Sequence, residues 1–490
     1  MKYKLIIHKL TALVLVSSAI FSGCTKKDFG DVNTNPYASS TPVTSILLTS
    51  ALRGLAMGAS SVTNDATGSL YAQYISDVQY TDGGRFLPIN FNYADYYRGP
   101  LINLQKIIEI NTDPETLTPA QVNGSNANQI AIARILKAFY FFHLTNRWGD
   151  IPYSEALKQG ENLVPKFDHQ EDIYADLFKE LKEAVAQFDA GKAVTGDIFL
   201  SGNVSRWKVF ANSVRLIMAL RLSKADPAKG KAEFLEAKAA GVAMTNAATF
   251  KFLHLAETAN QNAWYGRYLT RFDFAISTTF LNYLNSVNDP RLPVFADKPT
   301  DGNAKYVGMP YGLAVTSGIA NNSVSYIGSS LRKQNSPETI LSAAHVLFTL
   351  AEGEKLGWNT AGASNDAQAE TFYKEGIKVS MEQFESYAAG TYATYIAQPN
   401  VSYTPADAIK KISEQRWVAL YLNGYEAWNE WRRTGFPVLT PGPAPLSIGG
   451  QIPRRQAYPT TERDLNLANY TSVVADQGPD AVATKMYIDK

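Results

Sequence analysis

Segments with apolar residues every three to four positions recur in pairs along this chain, each pair joined by a loop. Ile46, Leu47, Leu52, Leu55 and Ala56 mark a helix over 43–57. Tyr97, Leu101, Leu104, Ile107 and Ile108 mark one over 94–110, and Ile132, Ile135, Leu136, Phe139 and Phe142 one over 127–147. Asp168 and Glu171 read as a capping box that opens a helix over 168–188. A further helix spans 203–222. Ser336-Pro337-Glu338 starts one over 336–355, with proline at the tolerated first position. The series continues over 368–387, over 404–423 with Gly424 as its stop, and over 425–433. That last helix has Arg432 and Arg433 at its negative end and Gly435 after it. One helix pair cannot bury its apolar faces alone, so neighbouring pairs must stack. The pattern predicts a mostly α fold with a tetratricopeptide-like α-solenoid scaffold.

Residues 246–335 interrupt the series with a different composition. Asn, Tyr, Ser and Gly crowd 300–330, including Gly302, Gly308, Gly312, Gly318 and Gly328. A loop region of this length is usually functional or disordered, and the functional reading makes it the inserted ligand-binding region. The stretch 435–450 is rich in Pro and Gly and cannot be helix.

The chain opens with Lys2, Lys4 and Lys9, then a short apolar run to Phe21, then Ser22-Gly23-Cys24. These are the parts of an export signal, and the run is too short to span a bilayer. Cys24 is the only cysteine, so it has no intramolecular disulfide partner. Phe21-Ser22-Gly23-Cys24 resembles a bacterial lipobox, with Phe in place of the usual Leu. The resemblance implies a signal peptide over 1–23, cleavage before Cys24 and lipidation there, palmitate included. The mature chain, 24–490, is then expected to hang from a membrane by its acyl chains.

Removing three lysines takes the formal charge from +1 to about −2. That is not the balance of a nucleic-acid binder. Aromatic residues reach 12%, which suits a protein that stacks on ligands, and equally a helical protein with an aromatic core. No phosphate-binding glycine loop, zinc-protease motif or Gly-x-Ser-x-Gly elbow occurs. His143, His169, His254 and His345 are not spaced as a metal pair. Asp77, Asp82 and Asp95 are available carboxylates, but nothing in their spacing selects a glycosidase pair. The reading is a protein without catalysis, with no evident cofactor and no assigned metal ligands.

Three blocks carry a family resemblance. The first is Ala133 to Leu144, followed by Arg147-Trp148-Gly149-Asp150-Ile151-Pro152-Tyr153. The second is Asp289-Pro290-Arg291-Leu292. The third is Gln415 to Gly435, with Ile452-Pro453-Arg454-Arg455 and Tyr458 to Arg463 after it. In order, over the mature chain, they resemble the SusD/RagB nutrient-binding lipoproteins. The resemblance implies an outer-membrane lipoprotein facing the cell exterior. It would capture an oligosaccharide and deliver it to a SusC-like TonB-dependent transporter. An oligopeptide-binding counterpart and a structural transporter lid are the alternatives. Within the third block, Tyr425, Trp428 and Trp431 fall on one helix face, so the block reads as scaffold.

The ligand-binding candidates lie elsewhere, in two stretches on which the family's ligand sites draw. Asn262, Trp264, Tyr265, Arg267 and Tyr268 combine flat rings, an amide and a guanidinium. Tyr80, Arg85 and Phe86 sit in a glycine-turned loop. Sugar rings lay C–H faces on aromatic rings and give their hydroxyls to amide and arginine groups. Trp264, Tyr268 and Phe272 at i, i+4 spacing fit a core stripe equally well.

Overall fold

Helix α1 (Thr44–Arg53) begins a folded unit that runs from Thr44 to Lys490. The computed structural model describes residues 43–63, 66–88 and 90–490. The signal, Cys24 and the spacer after it lie outside the described residues. In chain order there follow α2 (Ala66–Tyr71), strand β1 (Ile75–Asp77), α3 (Ile102–Thr112) and α4 (Asn126–Trp148). Next come β2 (Ile151–Pro152), β3 (Phe167–Asp168), α5 (Gln170–Gln187), α6 (Val204–Arg221) and α7 (Pro227–Ala240). Then β4 (Phe250–Phe252), α8 (Ala263–Arg267), β5 (Phe274–Ile276), α9 (Thr278–Ser286) and β6 (Glu338–Leu341). The last labelled helices are α10 (Ala343–Lys355), α11 (Asp366–Gln383), α12 (Ala408–Ala419) and α13 (Gly424–Thr434).

The mostly α architecture is that expected from the periodicity. Helix α3 packs on α1 and α4, α4 on α5, α6 on α7, and α10 on α11. These helices share one large core. Helix α4 is buried along almost its whole length, so its apolar residues surround it rather than forming a stripe. Ser125 caps it by accepting from the Asn128 N–H, and Gly149 ends it at φ 82°. No described helix is long and apolar enough to cross a membrane.

Local chemistry shifts several boundaries. Asp168 is no helix cap. It lies in β3, paired with Ile151, and its carboxylate accepts from the N–H groups of Tyr153 and Ser154. The N–H of Gln170, at the start of α5, donates instead to Asp150 at 2.8 Å. The segment after Ser336-Pro337 is strand β6, antiparallel to β4, and α10 starts later under a Ser342 cap. Gly424 begins α13 rather than ending α12. A Cβ at Gly424 would overlap the backbone of Gly68 and Ser69, so glycine is what lets α13 cross α2 at backbone contact. Helix α7, unmarked by periodicity, starts at an Asp226 cap with Pro227 in its first turn.

A second core lies under α2, α8, α9, α12 and α13. Tyr74 stacks on Trp417 at 5.4 Å and Phe280 on Tyr421 at 4.9 Å. Tyr425, Trp428 and Trp431 are all buried here, as their spacing predicts. Two of the three family-resembling blocks meet around Arg147. Its guanidinium donates to Tyr96 Oη at 2.7 Å, Gln456 Oε1 at 2.7 Å and Tyr425 Oη at 2.9 Å. The second block is a buried pair, Asp289 with Arg291, which also holds Gln415.

Candidate functional site

The candidate site is built on a three-residue antiparallel pairing. Strand β1 meets β5 with Ile75 opposite Ile276 and Asp77 opposite Phe274. This pairing sets the loop after β1 beside the loop before β5. The two stretches singled out in the sequence therefore meet at their ends, where Tyr80 lies beside Arg271. The Val78 N–H donates to the Asp273 carbonyl at 2.7 Å and continues the pairing outward. Above it the Arg271 guanidinium lies over the Tyr80 ring, 5.2 Å from its centre.

Two more loops border this face. Thr316 Oγ1 donates to the Val78 carbonyl at 2.7 Å, and Thr81 Oγ1 to the Ala314 carbonyl at 3.3 Å. Arg85 Nε donates to the Ala444 carbonyl at 2.8 Å, so part of the Pro- and Gly-rich stretch folds against the same loop.

The sequence candidates divide by depth. Tyr80 is 70% exposed, and Arg267 is exposed. Arg85 and Tyr265 are half-buried. Phe86, Asn262, Trp264 and Tyr268 are buried. Trp264, read equally as a stacking platform and as part of a core stripe, has 3% of its surface exposed and belongs to the second core. The core-stripe reading thus describes Trp264 and Tyr268. Phe272, third in that spacing, is 41% exposed and rests on Tyr268 and Tyr326.

The buried members hold the exposed ones. Asn262 caps α8 by accepting from the Trp264 N–H at 2.8 Å and donates to the Ser336 carbonyl at 3.0 Å. Tyr268 Oη donates to the Phe274 carbonyl, and Arg332 lies over its ring. Tyr80 and Phe86, at the two ends of their loop, have φ of 56° and 63°. Such angles cost a non-glycine residue energy and persist where neighbours fix them. Sequence reasoning missed Arg271, Phe272 as a surface ring, and Tyr326. Phe272 entered the sequence reading only as the third member of the core stripe, and nothing in the spacing marked Arg271 beside it.

Beneath the loop lies Asp77. Its Oδ2 accepts from the Gly84 N–H at 2.6 Å. Burial pushes this carboxyl up to about 7, with Asp82 and Asp273 adding to the rise against the Gly84 bond. Asp95 stands apart, paired with Arg98, so the three carboxylates do not assemble.

A metal reading has one geometric candidate among the described residues. His345, Glu426 and Glu430 place ligand-type atoms within 4.8 Å of one another. The cation already there is Arg221, which reaches Glu426 and lies 3.3 Å from Glu430. Arg416 and Arg433 join Glu430 to Glu352, so three guanidiniums balance three carboxylates. Burial opposes ionisation of Glu430, yet Arg433, Arg416 and Arg221 hold its carboxyl well below the usual range. A divalent ion would add uncompensated positive charge, so the cluster is a structural lock between α6, α10, α12 and α13.

Residues 36–459 match a family model described as starch-binding and associating with the outer membrane. Among solved structures, a chitin-binding protein is 27% identical over 91% of this chain and 100% of its own, with a TM-score of 0.78. A chitin-binding SusD homologue from Flavobacterium johnsoniae is 24% identical over 91% and 98%, with a TM-score of 0.77. A SusD homologue from Bacteroides fragilis is 24% identical over 91% and 100%, with a TM-score of 0.78. The latter two carry the likeness of fold alone. No curated protein matches the chain.

Proposed function

Since this chain belongs to the SusD-like family, described as starch-binding and associating with the outer membrane, we propose that it is a glycan-capture lipoprotein. In this reading it is anchored through Cys24 on the outer face of the outer membrane. It holds an oligosaccharide at the face formed by the loops after β1 and before β5, and passes it to a SusC-like TonB-dependent transporter.

The observation that carries the reading is the exposed ring of Tyr80 under Arg271, with the next residue, Phe272, 4.9 Å from the half-buried Tyr326 ring of another loop. Exposed flat rings beside guanidinium donors suit the alternating C–H and hydroxyl faces of a sugar. Tyr80, Arg85, Tyr265 and Arg267, with Arg271 and Phe272, would contact the ligand. Phe86, Asn262, Trp264 and Tyr268 would support them from below. The chitin-binding relative favours glycan over peptide.

The test is calorimetric titration of the purified mature domain with starch- and chitin-derived oligosaccharides and with a mixed tripeptide-to-hexapeptide pool. Saturable binding to a glycan series is expected. Saturation by peptides alone, or by nothing, would overturn capture of glycan in favour of a peptide carrier or a lid. The anchor is checked by Cys24→Ala, which should move the protein out of the membrane fraction. Retention after a high-salt wash, which strips electrostatic attachment, would refute the lipid anchor.

A further inference from the structure

A cavity of about 760 Å³ lies between α3, α4 and α5, under the turn over 153–161, and shares no residue with the loop face. That size is within the range of ligand pockets. Its lining is mixed in sign. Lys137 of α4 lines the floor, half-buried, and its Nζ donates to Gln105 Oε1 at 2.9 Å. The partner is an amide and not a carboxylate, although Glu180, Asp176 and Glu109 all face this amine. Protons of the ammonium remain for something else.

The carboxylates also keep spare capacity. Asp176 accepts from Tyr153 Oη at 2.7 Å through Oδ2, which leaves Oδ1. Glu180 is gripped by Arg134 at 2.8 and 3.0 Å, and a carboxylate has lone pairs beyond two such bonds. Glu161 stands at the exposed rim. One wall is apolar, where the Tyr153 ring meets Phe141 edge-on at 4.7 Å. The turn above is pinned by Ser154, whose N–H and Oγ both bond Asp168. Leu157 within it is held at φ 65°.

This arrangement selects against charge. A cationic ligand meets Lys137 in the floor and Lys158 in the turn, and an anionic one meets Glu109, Asp176, Glu180 and Glu161. A polyol meets neither objection. Each hydroxyl can donate to a carboxylate oxygen and accept from the ammonium, while ring C–H groups lie on the aromatic wall. We propose that this cleft is a second carbohydrate subsite, taking uncharged sugar rings away from the loop face. The sugar class rests on the capture reading above, whereas the location rests on the cleft alone.

Titration with maltohexaose and with N-acetylglucosamine hexamer tests it on three forms of the mature domain. These are wild type, Tyr80→Ala/Arg271→Ala, and Lys137→Met/Asp176→Asn. Asp176→Asn alone is a fourth form, since it keeps shape and the Tyr153 bond should Lys137→Met disturb folding. A second binding event is expected in wild type that survives the loop-face changes and weakens at least tenfold in the cleft variants at unchanged melting temperature. If the loop-face variant loses all binding and the cleft variants match wild type, the subsite is refuted while glycan capture stands. If no form binds either hexasaccharide, both readings fall. If binding disappears only in the cleft variants, the subsite stands and the loop face is removed from the capture reading.

Discussion

Arg271 lies over the ring of Tyr80 across 191 residues of chain, and its guanidinium is fixed there by Asp273 at 2.8 Å. The ion pair holds the charge in place, and the Tyr80 ring keeps most of its surface in solvent. A sugar can therefore stack on a ring whose neighbour is already oriented. Such preorganisation lowers the ordering cost of binding.

Tyr80→Ala should weaken glycan binding by roughly 30-fold, about the 2 kcal/mol of a central aromatic anchor. Its exposure means the melting temperature should hold. Arg271→Ala removes a hydrogen-bond donor, about 1–2 kcal/mol for a neutral glycan. Residual binding that turns markedly less salt-sensitive would instead mark an acidic ligand. Unchanged affinity in both variants would remove this face from the site.

Trp264→Ala should act on stability. The ring is enclosed, packs near Phe274 and lies under the Arg267 guanidinium. Emptying a site of this size costs about 3–5 kcal/mol. Denaturant unfolding should show that loss, with ligand affinity changing only as far as α8 loosens. Normal stability with abolished binding would return Trp264 to the surface of the site.

The helical scaffold was legible because long amphipathic segments announce themselves. The pairing that builds the candidate site was not. Strands β1 and β5 have three residues each, too few for a period, and they bring together stretches far apart in sequence. Trp264 was ambiguous for a physical reason, since i, i+4 aromatic spacing describes both a buried stripe and a stacking face. Asp168 and Glu171 have capping-box spacing, yet the two-residue pairing with Ile151 claimed Asp168 first. Helix α7 was missed because Phe234 and Leu235 are its only large apolar residues, the rest of its apolar positions being alanines and Pro227, and only its Asp226-Pro227 start marked it.

Asp77 predicts a pH dependence centred on the loop face. Its folded value of about 7 lies above the ordinary 3.8. Between those values the unfolded chain has lost this proton and the folded chain keeps it. Asp77 therefore contributes stability that is full below about 3.8 and is lost as pH rises through about 7. Asp77→Asn should flatten that part of the stability profile while still accepting from the Gly84 N–H. The difference in melting temperature between wild type and variant, followed from pH 4 to pH 8.5, reads the effect directly. Parallel profiles would show that Asp77 does not titrate there.

The buried ion cluster predicts the opposite slope at acid pH. Glu352 accepts from Arg433 at 2.6 and 2.7 Å and from Arg416 at 2.8 Å, with all three side chains buried. Burial raises its pKa, but Arg433 and Arg416 outweigh that and hold the carboxyl below its ordinary value. The contribution is thus present above the ordinary carboxylate pKa and lost as pH falls through the depressed one. Glu352→Gln keeps the shape and removes one negative charge, leaving three guanidiniums against two carboxylates. Breaking one side of such a cluster costs about 3–5 kcal/mol, far more than an exposed pair. Replacing Glu352 and Arg433 together by methionine should recover part of that loss, because no buried charge is then left without a partner. Denaturant midpoints of the single and double variants measure both effects. If Glu352→Gln lies within about 1 kcal/mol of wild type, the cluster is loosely coupled and α6, α10, α12 and α13 are held by their apolar contacts alone.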